Sequence, residues 1–408
     1  MAEAITQLKK GLELLTRLPD GASRQRQELQ LQIALGRALL VSRGYAAPTV
    51  GETYARARAL CERLDRPPEI VPVLYGQCLN HLINGPLPLA REIAADLLQR
   101  GEDGADVPIT MMGHRVSGLT CFFLGEFLAS RAHLEQALAR FDPAHGPFYM
   151  SFDIQDPLVT LLNFLSRDLF CLGYLDDARL RIEVAVEEAS KLGHAFSVAI
   201  ALSGACWVDW AMGSHEELLA RANALIAVSD EHGFPWQRAV GTVYRGWVLA
   251  GSGQTTEETA LLEAGVAAYR ASGTVNWVPF FLTLLAEAEG MAKELDEGLV
   301  HLAEADSVMA ETEERWAEAE LHRVRGELLR AGDDIAAAER SFCQAIEIAQ
   351  KQSAKFWELR AAISLARLRR EQGKRDAARD LLATTYGWFT EGFDTPVLKE
   401  AKALLGKL

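Results

Sequence analysis

Glycines recur along this chain of 408 residues at nearly even spacing, and that spacing constrains its fold more than any other feature. Gly44, Gly85, Gly125, Gly173, Gly213, Gly253, Gly332 and Gly373 are separated by 41, 40, 48, 40, 40, 79 and 41 residues. The gap of 79 is two periods with one turn, near Met291 to Lys293, that lacks glycine. A second series, Gly193, Gly233 and Gly273, repeats every 40 residues, with Gly392 later. Glycine just past a helix end supplies a left-handed cap without steric cost. The two series divide each unit into helix A, turn, helix B, turn. Small residues hold fixed offsets from the first series: Ala90, Ser130, Ala178, Ala337 and Ala378 five places on, and Ala137, Ala185 and Gly265 twelve places on. Ala305 fits the second set if the missing turn is centred on Lys293. Small side chains there let helix B lie close on helix A.

The B helices read as amphipathic. Leu175, Ala178, Ile182, Ala185, Val186 and Ala189 follow one buried stripe. Carboxylates open several of them (Asp176-Asp177, Glu216-Glu217, Glu257-Glu258, Asp333-Asp334), where they oppose the positive helix end. Phe196, Trp236, Trp277, Trp316 and Trp357 form an aromatic column at the start of helix A, spaced 40, 41, 39 and 41 residues apart. That phase is expected to come from packing between adjacent repeats. Strand signals are nearly absent. The predicted fold is all-α: a right-handed superhelical solenoid of about nine tetratricopeptide-like hairpins, with a period near 40 rather than the usual ~34. Each repeat is expected to bury its face only on its neighbours. The predicted division is an N-terminal helical cap over 1–28, hairpins over 29–392 and a capping helix over 393–408. Gly44 heads the first turn, and "YAAPTVGE" is expected to separate it from the following helix.

The 48-residue gap holds an inserted loop, "FDPAHGPFYMSFDIQDP", broken by Pro143, Pro147 and Pro157. Phe141, Phe148, Tyr149 and Phe152 make it aromatic-rich. It is expected to fold over the solenoid, the alternative being a lid or contact loop.

Chemistry is hard to place on this chain. No G-x-x-x-x-G-K-[ST] or G-x-G-x-x-G motif occurs, so Gly44 does not open a phosphate loop. His215-Glu216 begins like H-E-x-x-H, but Leu219 stands where the second histidine belongs. The nine histidines show no i,i+4 pairing and are expected in capping or surface roles. Six cysteines without a C-x-x-C pair are expected as reduced, buried thiols in a cytoplasmic protein. The net charge of −14 disfavours nucleic acid, and no stretch approaches the ~20 apolar residues of a membrane span. No cofactor, metal site or catalytic activity is expected.

What remains is binding. The inner A-helix faces are expected to form a groove for a protein partner or, alternatively, a small-molecule ligand. From the tryptophan register, Thr242, Arg245, Thr283, His322 and Arg325 are its candidate inner-face residues. Residues 354–380 stand apart, with eight cations (Lys355, Arg360, Arg367, Arg369, Arg370, Lys374, Arg375, Arg379) against four acidic residues. They read as a solvated face or as a docking patch for an acidic surface.

The stretches "LQIALGRALLVSRGYAAPTV", "FFLGEFLASRAHLEQALARFDP", "ERWAEAELHRVRGELL" and "FWELRAAISLARLRREQGKRDAARDLLATTYGWFTEGFDTPVLKEAKALL" carry a family resemblance. The chain resembles the C-terminal repeat region of bacterial signalling proteins that join an adenylate/guanylate cyclase domain to a predicted signal-transducing ATPase. More distantly it is similar to the superhelical sensor domain of the bacterial maltose-operon activator. The resemblance covers essentially the whole chain. It implies a sensor or docking surface that regulates an attached or partner ATPase or cyclase. In such proteins the catalytic domains precede the repeats. No residue here matches their motifs, so the expected role is a sensor module, separately encoded or cut from a longer protein.

Overall fold

The computed structural model describes residues 2–65, 67, 69–251 and 256–408. Gly253, and the side chains of Phe152, Glu257 and Glu258, lie outside the described residues. Among those described there are 21 α-helices and no strand. After α1 (Ala2–Leu15) come α2 (Ala22–Arg43) with α3 (Pro48–Arg63), α4 (Ile70–Asn84) with α5 (Leu87–Asp103), and α6 (Val107–Phe123) with α7 (Phe127–Arg140). Beyond the short α8 (Gly146–Phe152) follow α9 (Pro157–Leu172) with α10 (Leu175–Leu192), α11 (Ala195–Met212) with α12 (His215–His232), and α13 (Pro235–Gly251) with α14 (Thr256–Ala271). The series ends with α15 (Val278–Ala292) and α16 (Leu295–Thr312), α17 (Glu318–Ala331) and α18 (Ile335–Lys351), α19 (Lys355–Glu371) and α20 (Arg375–Tyr386), and lastly α21 (Pro396–Leu405). Nine hairpins therefore stand among the described residues, as a helical-repeat superhelix.

The two helices of a hairpin are built differently. First helices such as α6, α9 and α11 are buried on almost every side and pack on one another in series. Second helices bury one stripe only: in α10 it is Leu175, Ala178, Ile182, Ala185 and Ala189. First helices thus form an inner layer and second helices an outer, solvated one. The 18-residue α11 is apolar enough to cross a membrane by composition, but 72% of it is buried inside the superhelix, as a core helix would be.

Left-handed residues turn the chain where the glycine series places them, at φ 97° for Gly173 and 73° for Gly213. Lys293 does the same without glycine, at φ 68°. At the next turn the expectation is off by one. Gly332 is right-handed and Asp333 takes φ 66°. The buried small residue accordingly moves from Ala337 to Ala338. The turn after Gly44 is also shorter than expected, because Pro48 starts α3 itself, where its missing N–H is not needed. Gly51 is then helical, and a Cβ there would lie 2.8 Å from Asn80 Oδ1.

The repeats do not touch only their neighbours. Ile83 O accepts from Val275 N (3.1 Å) and Asn276 N (3.0 Å), and Phe123 O accepts from Arg315 N (2.7 Å). Gly392 N donates to Asp176 Oδ2 at 3.1 Å. The superhelix therefore winds tightly enough for successive windings to meet. This closes the inner space that the sequence reading left as a long groove, and aromatic rings fill it. Trp316 stacks on Phe122 (centroids 5.4 Å apart) and meets Trp277 (4.7 Å), Phe280 (4.9 Å) and Trp207 (6.0 Å). Three members of the aromatic column, Trp277, Trp316 and Trp357, sit in this axial cluster; Phe196 and Trp236 stay half-buried outside it. Of the six free cysteines five are buried and Cys343 is exposed, on the solvated layer.

Candidate functional site

Two adjacent chambers interrupt the packed axis. The outer one, of about 730 Å³, lies where the C-terminal end of α2, the inserted loop, the N-termini of α11 and α13, and residues 271–274 converge. Gly44, Phe196, Phe234 and Gln237 line it. The inner one, of about 70 Å³, is walled by six successive first helices, through residues such as Leu82, Leu119, Phe164, Ile200, Val240 and Phe281. Tyr45, Ile83 and Trp236 line both.

The inserted loop does fold over the solenoid, and it carries a carboxylate inward. Asp153, 3% exposed, accepts from Arg115 Nη1 at 2.7 Å and Tyr75 Oη at 2.7 Å, and from the Tyr45 hydroxyl. Arg37 Nη2 holds the loop from α2 by donating to Met150 O at 3.0 Å. Burial, then the Asp153 charge, raises the Tyr45 phenol well above its ordinary range, so it stays a donor.

Arg167 is arranged otherwise. It is 4% exposed and lines the inner chamber between the rings of Trp277 (4.8 Å to the centroid) and Phe164 (4.9 Å). Among the described residues none makes a hydrogen bond or ion pair with it. Burial holds its guanidinium below the ordinary range, at about 10, which still leaves it a cation at neutral pH. Ring contacts contribute about 0.5–2 kcal/mol, whereas desolvating an ion costs several kcal/mol, so the rings alone do not offset the burial. The other buried guanidiniums of the axis have carboxylates: Arg323 pairs with Glu287 (2.6 Å) and Glu320 (2.7 Å), and Arg360 with Glu320 (2.8 Å). Trp277, beneath Arg167, holds a left-handed backbone at φ 68°, a conformation worth about 1–3 kcal/mol of strain in a bulky residue. Gln237, 1% exposed, lines the outer chamber with both amide atoms unpartnered.

The five candidate inner-face residues fall elsewhere, and none lines either chamber. Thr283 is buried and donates to Pro279 O (2.8 Å); Thr242 donates to Arg238 O (2.9 Å). Arg245 is exposed on α13. His322 is buried beside Arg325 (3.1 Å), and burial with that charge lowers its imidazole to about 4. Arg325 pairs with Asp306 at 2.5 Å. The basic stretch is largely neutralised inside the chain: Arg360 by Glu320, Lys355 by Glu358, Arg367 by Glu400 and Arg369 by Glu339. The histidines do pair once, through His114 and His133 (Nδ1 to Nδ1, 3.0 Å), and burial lowers His114 to about 4. No third metal ligand joins them among the described residues.

Arg115, Asp153, Arg167 and Gln237 escaped the sequence reading. Their signal was present. Arg115 and Arg167 stand in "VPITMMGHRVSGLTCFF" and "PLVTLLNFLSRDLFCL", mostly apolar helices in which each is the one Lys or Arg.

No protein-family model matches the chain. A curated relative, the uncharacterized protein R02095 of Rhizobium meliloti (strain 1021), is 21% identical over 372 residues. The match takes 90% of this chain but only 36% of that relative's length. Among solved structures, a Rap protein complexed with competence and sporulation factor superposes with a TM-score of 0.63 at 10% identity, over 93% of this chain and 99% of that one. The Rap conjugation gene regulator of plasmid pLS20, in complex with the Phr* peptide, gives 0.50 at 10% identity, over 93% and 95%. At these identities the likeness is one of fold: a tetratricopeptide-like helical repeat.

Proposed function

We propose that this chain is a non-catalytic regulatory repeat module that binds an extended segment of a protein partner in the outer chamber. The observation that carries this reading is Gln237. A buried primary amide with both its donor and its acceptor free is the complement of a peptide group, and Phe196 and Phe234 beside it offer apolar contact. Two proteins sharing the fold bear names of complexes with a sporulation factor and a peptide, which supports the same reading. On the sequence resemblance we assign the module a regulatory role toward an attached or partner signalling ATPase or nucleotide cyclase. The greater length of the bacterial relative accords with such an attachment.

The test is a displayed peptide library panned against the whole chain, repeated on Gln237→Leu. The substitution removes two unpaired buried polar atoms, so stability should rise, by about 1–3 kcal/mol, while peptide capture falls. Equal capture by both proteins would move the binding site away from this chamber. The alternative reading, a small-molecule ligand, draws on the chamber's about 730 Å³, which falls within the ~300–1,000 Å³ of ligand pockets. A thermal-shift screen against sugars and nucleotides separates the two, since a bound ligand raises apparent stability.

A further inference from the structure

The charges around the inner chamber do not balance. Arg115 is neutralised by Asp153, and Arg167 lines the same space with no carboxylate in hydrogen-bond or ion-pair contact among the described residues; burial holds the adjacent Asp168 carboxyl well above its ordinary range. Arg115 keeps two further donors, Nε and Nη2, without partners. One net positive charge, buried, calls for one negative charge. The chamber is about 70 Å³, and a water needs ~10–15 Å³ of such space, so a carboxylate fits together with a few waters. The approach is electropositive as well, since the N-termini of α11 and α13 open onto the outer chamber.

We propose that Arg167 is a carboxylate receptor, so that the module selects peptide segments bearing an acidic side chain or a free C-terminus. The segment's body lies in the outer chamber, and its carboxylate passes between Tyr45, Ile83 and Trp236 to the guanidinium. A singly charged carboxylate group is selected over a phosphate group, which carries two charges at one centre, because only one of the two arginines is uncompensated. A planar guanidinium also suits a carboxylate's two oxygens. This inference rests on the peptide-binding reading above, but Arg167 can be tested apart from it.

The experiment uses the whole chain and three probes: pooled hexapeptides blocked at both ends without Asp or Glu, the same pool with a free C-terminal carboxylate, and glutarate. Peptide retention is read by mass spectrometry and glutarate binding by thermal shift. Wild type should retain the carboxylate pool preferentially. Arg167→Gln should lower that retention by roughly thirtyfold or more, and Arg367→Gln, whose partner Glu400 lies outside both chambers, should not. Arg167→Lys keeps the charge without the fork and should retain an intermediate share, which serves if Arg167→Gln does not fold by circular dichroism. Equal retention of both pools, or retention untouched by either Arg167 variant, overturns the carboxylate inference and leaves peptide binding standing. Glutarate stabilisation lost in the Arg167 variants, with no peptide retained, upholds the receptor and removes the peptide reading. No response to any probe overturns both.

Discussion

Glu314 is a carboxyl that the fold keeps protonated. It is 2% exposed, accepts from Trp316 Nε1 at 2.6 Å and from Trp277 N at 3.2 Å, and burial pushes it up to about 8. An unfolded glutamate titrates near ~4.3. Between those values the folded chain holds a proton that the unfolded chain has released. Its contribution is therefore whole at acid pH and is lost as pH rises toward about 8. Glu314→Gln keeps the acceptor and removes the titration. It should be more stable than wild type at pH 9, by a few kcal/mol, and close to it at pH 5. Urea unfolding at both pH values measures this; parallel pH profiles would refute it. Glu320 has the opposite sign. Burial raises it, but Arg323 and Arg360 together outweigh that and hold it below the ordinary range. Glu320→Ala leaves buried Arg323 and half-buried Arg360 to share Glu287 and should cost about 3 kcal/mol by urea denaturation. Neither residue was legible in the sequence, where both pass for surface acids on helical repeats. Trp277 and Arg360 reach them from other hairpins, and no spacing rule extends that far.

Between helices, closeness is set by which side chains are missing. A Cβ at Gly113 of α6 would stand 2.6 Å from Leu98 Cα, and one at Gly101 of α5 would stand 2.5 Å from Thr110 N. The two glycines let these helices approach from both sides. Gly113→Ala is expected to cost about 1–3 kcal/mol through overpacking. Gly193→Asn, in open space at φ 61°, should be nearly neutral because asparagine tolerates that conformation. Thermal unfolding of the two variants tells packing from backbone geometry. The hairpins themselves were readable, since the turn glycines and the buried stripes recur in phase. Gly101 and Gly113 were not, because they serve one helix pair and belong to neither series. The shift from Gly332 to Asp333 was hidden for a related reason: an aspartate in a turn looks the same whether or not it is the residue that turns left.

A solenoid held only by neighbours would unfold piecemeal. This one is tied across its windings at Ile83 to Val275, Phe123 to Arg315 and Asp176 to Gly392, and an aromatic cluster runs through its axis. Urea unfolding should therefore follow a single transition, with tryptophan fluorescence and circular dichroism coincident. Separate midpoints for the two signals would show that the ties carry little. The repeat period implied the winding but not its pitch. Pitch follows from small rotations summed over several hairpins, and it decided that the expected groove would be a packed axis with two chambers. The ties also bear on how such a chain can change over generations. A solenoid ordinarily gains or loses units anywhere along its length. Here a hairpin added between residues 84 and 274 would carry Val275 and Asn276 past Ile83 and misalign every later contact. The number of units inside a winding is thus fixed like the number of teeth on a meshed gear, and only the ends are free to grow.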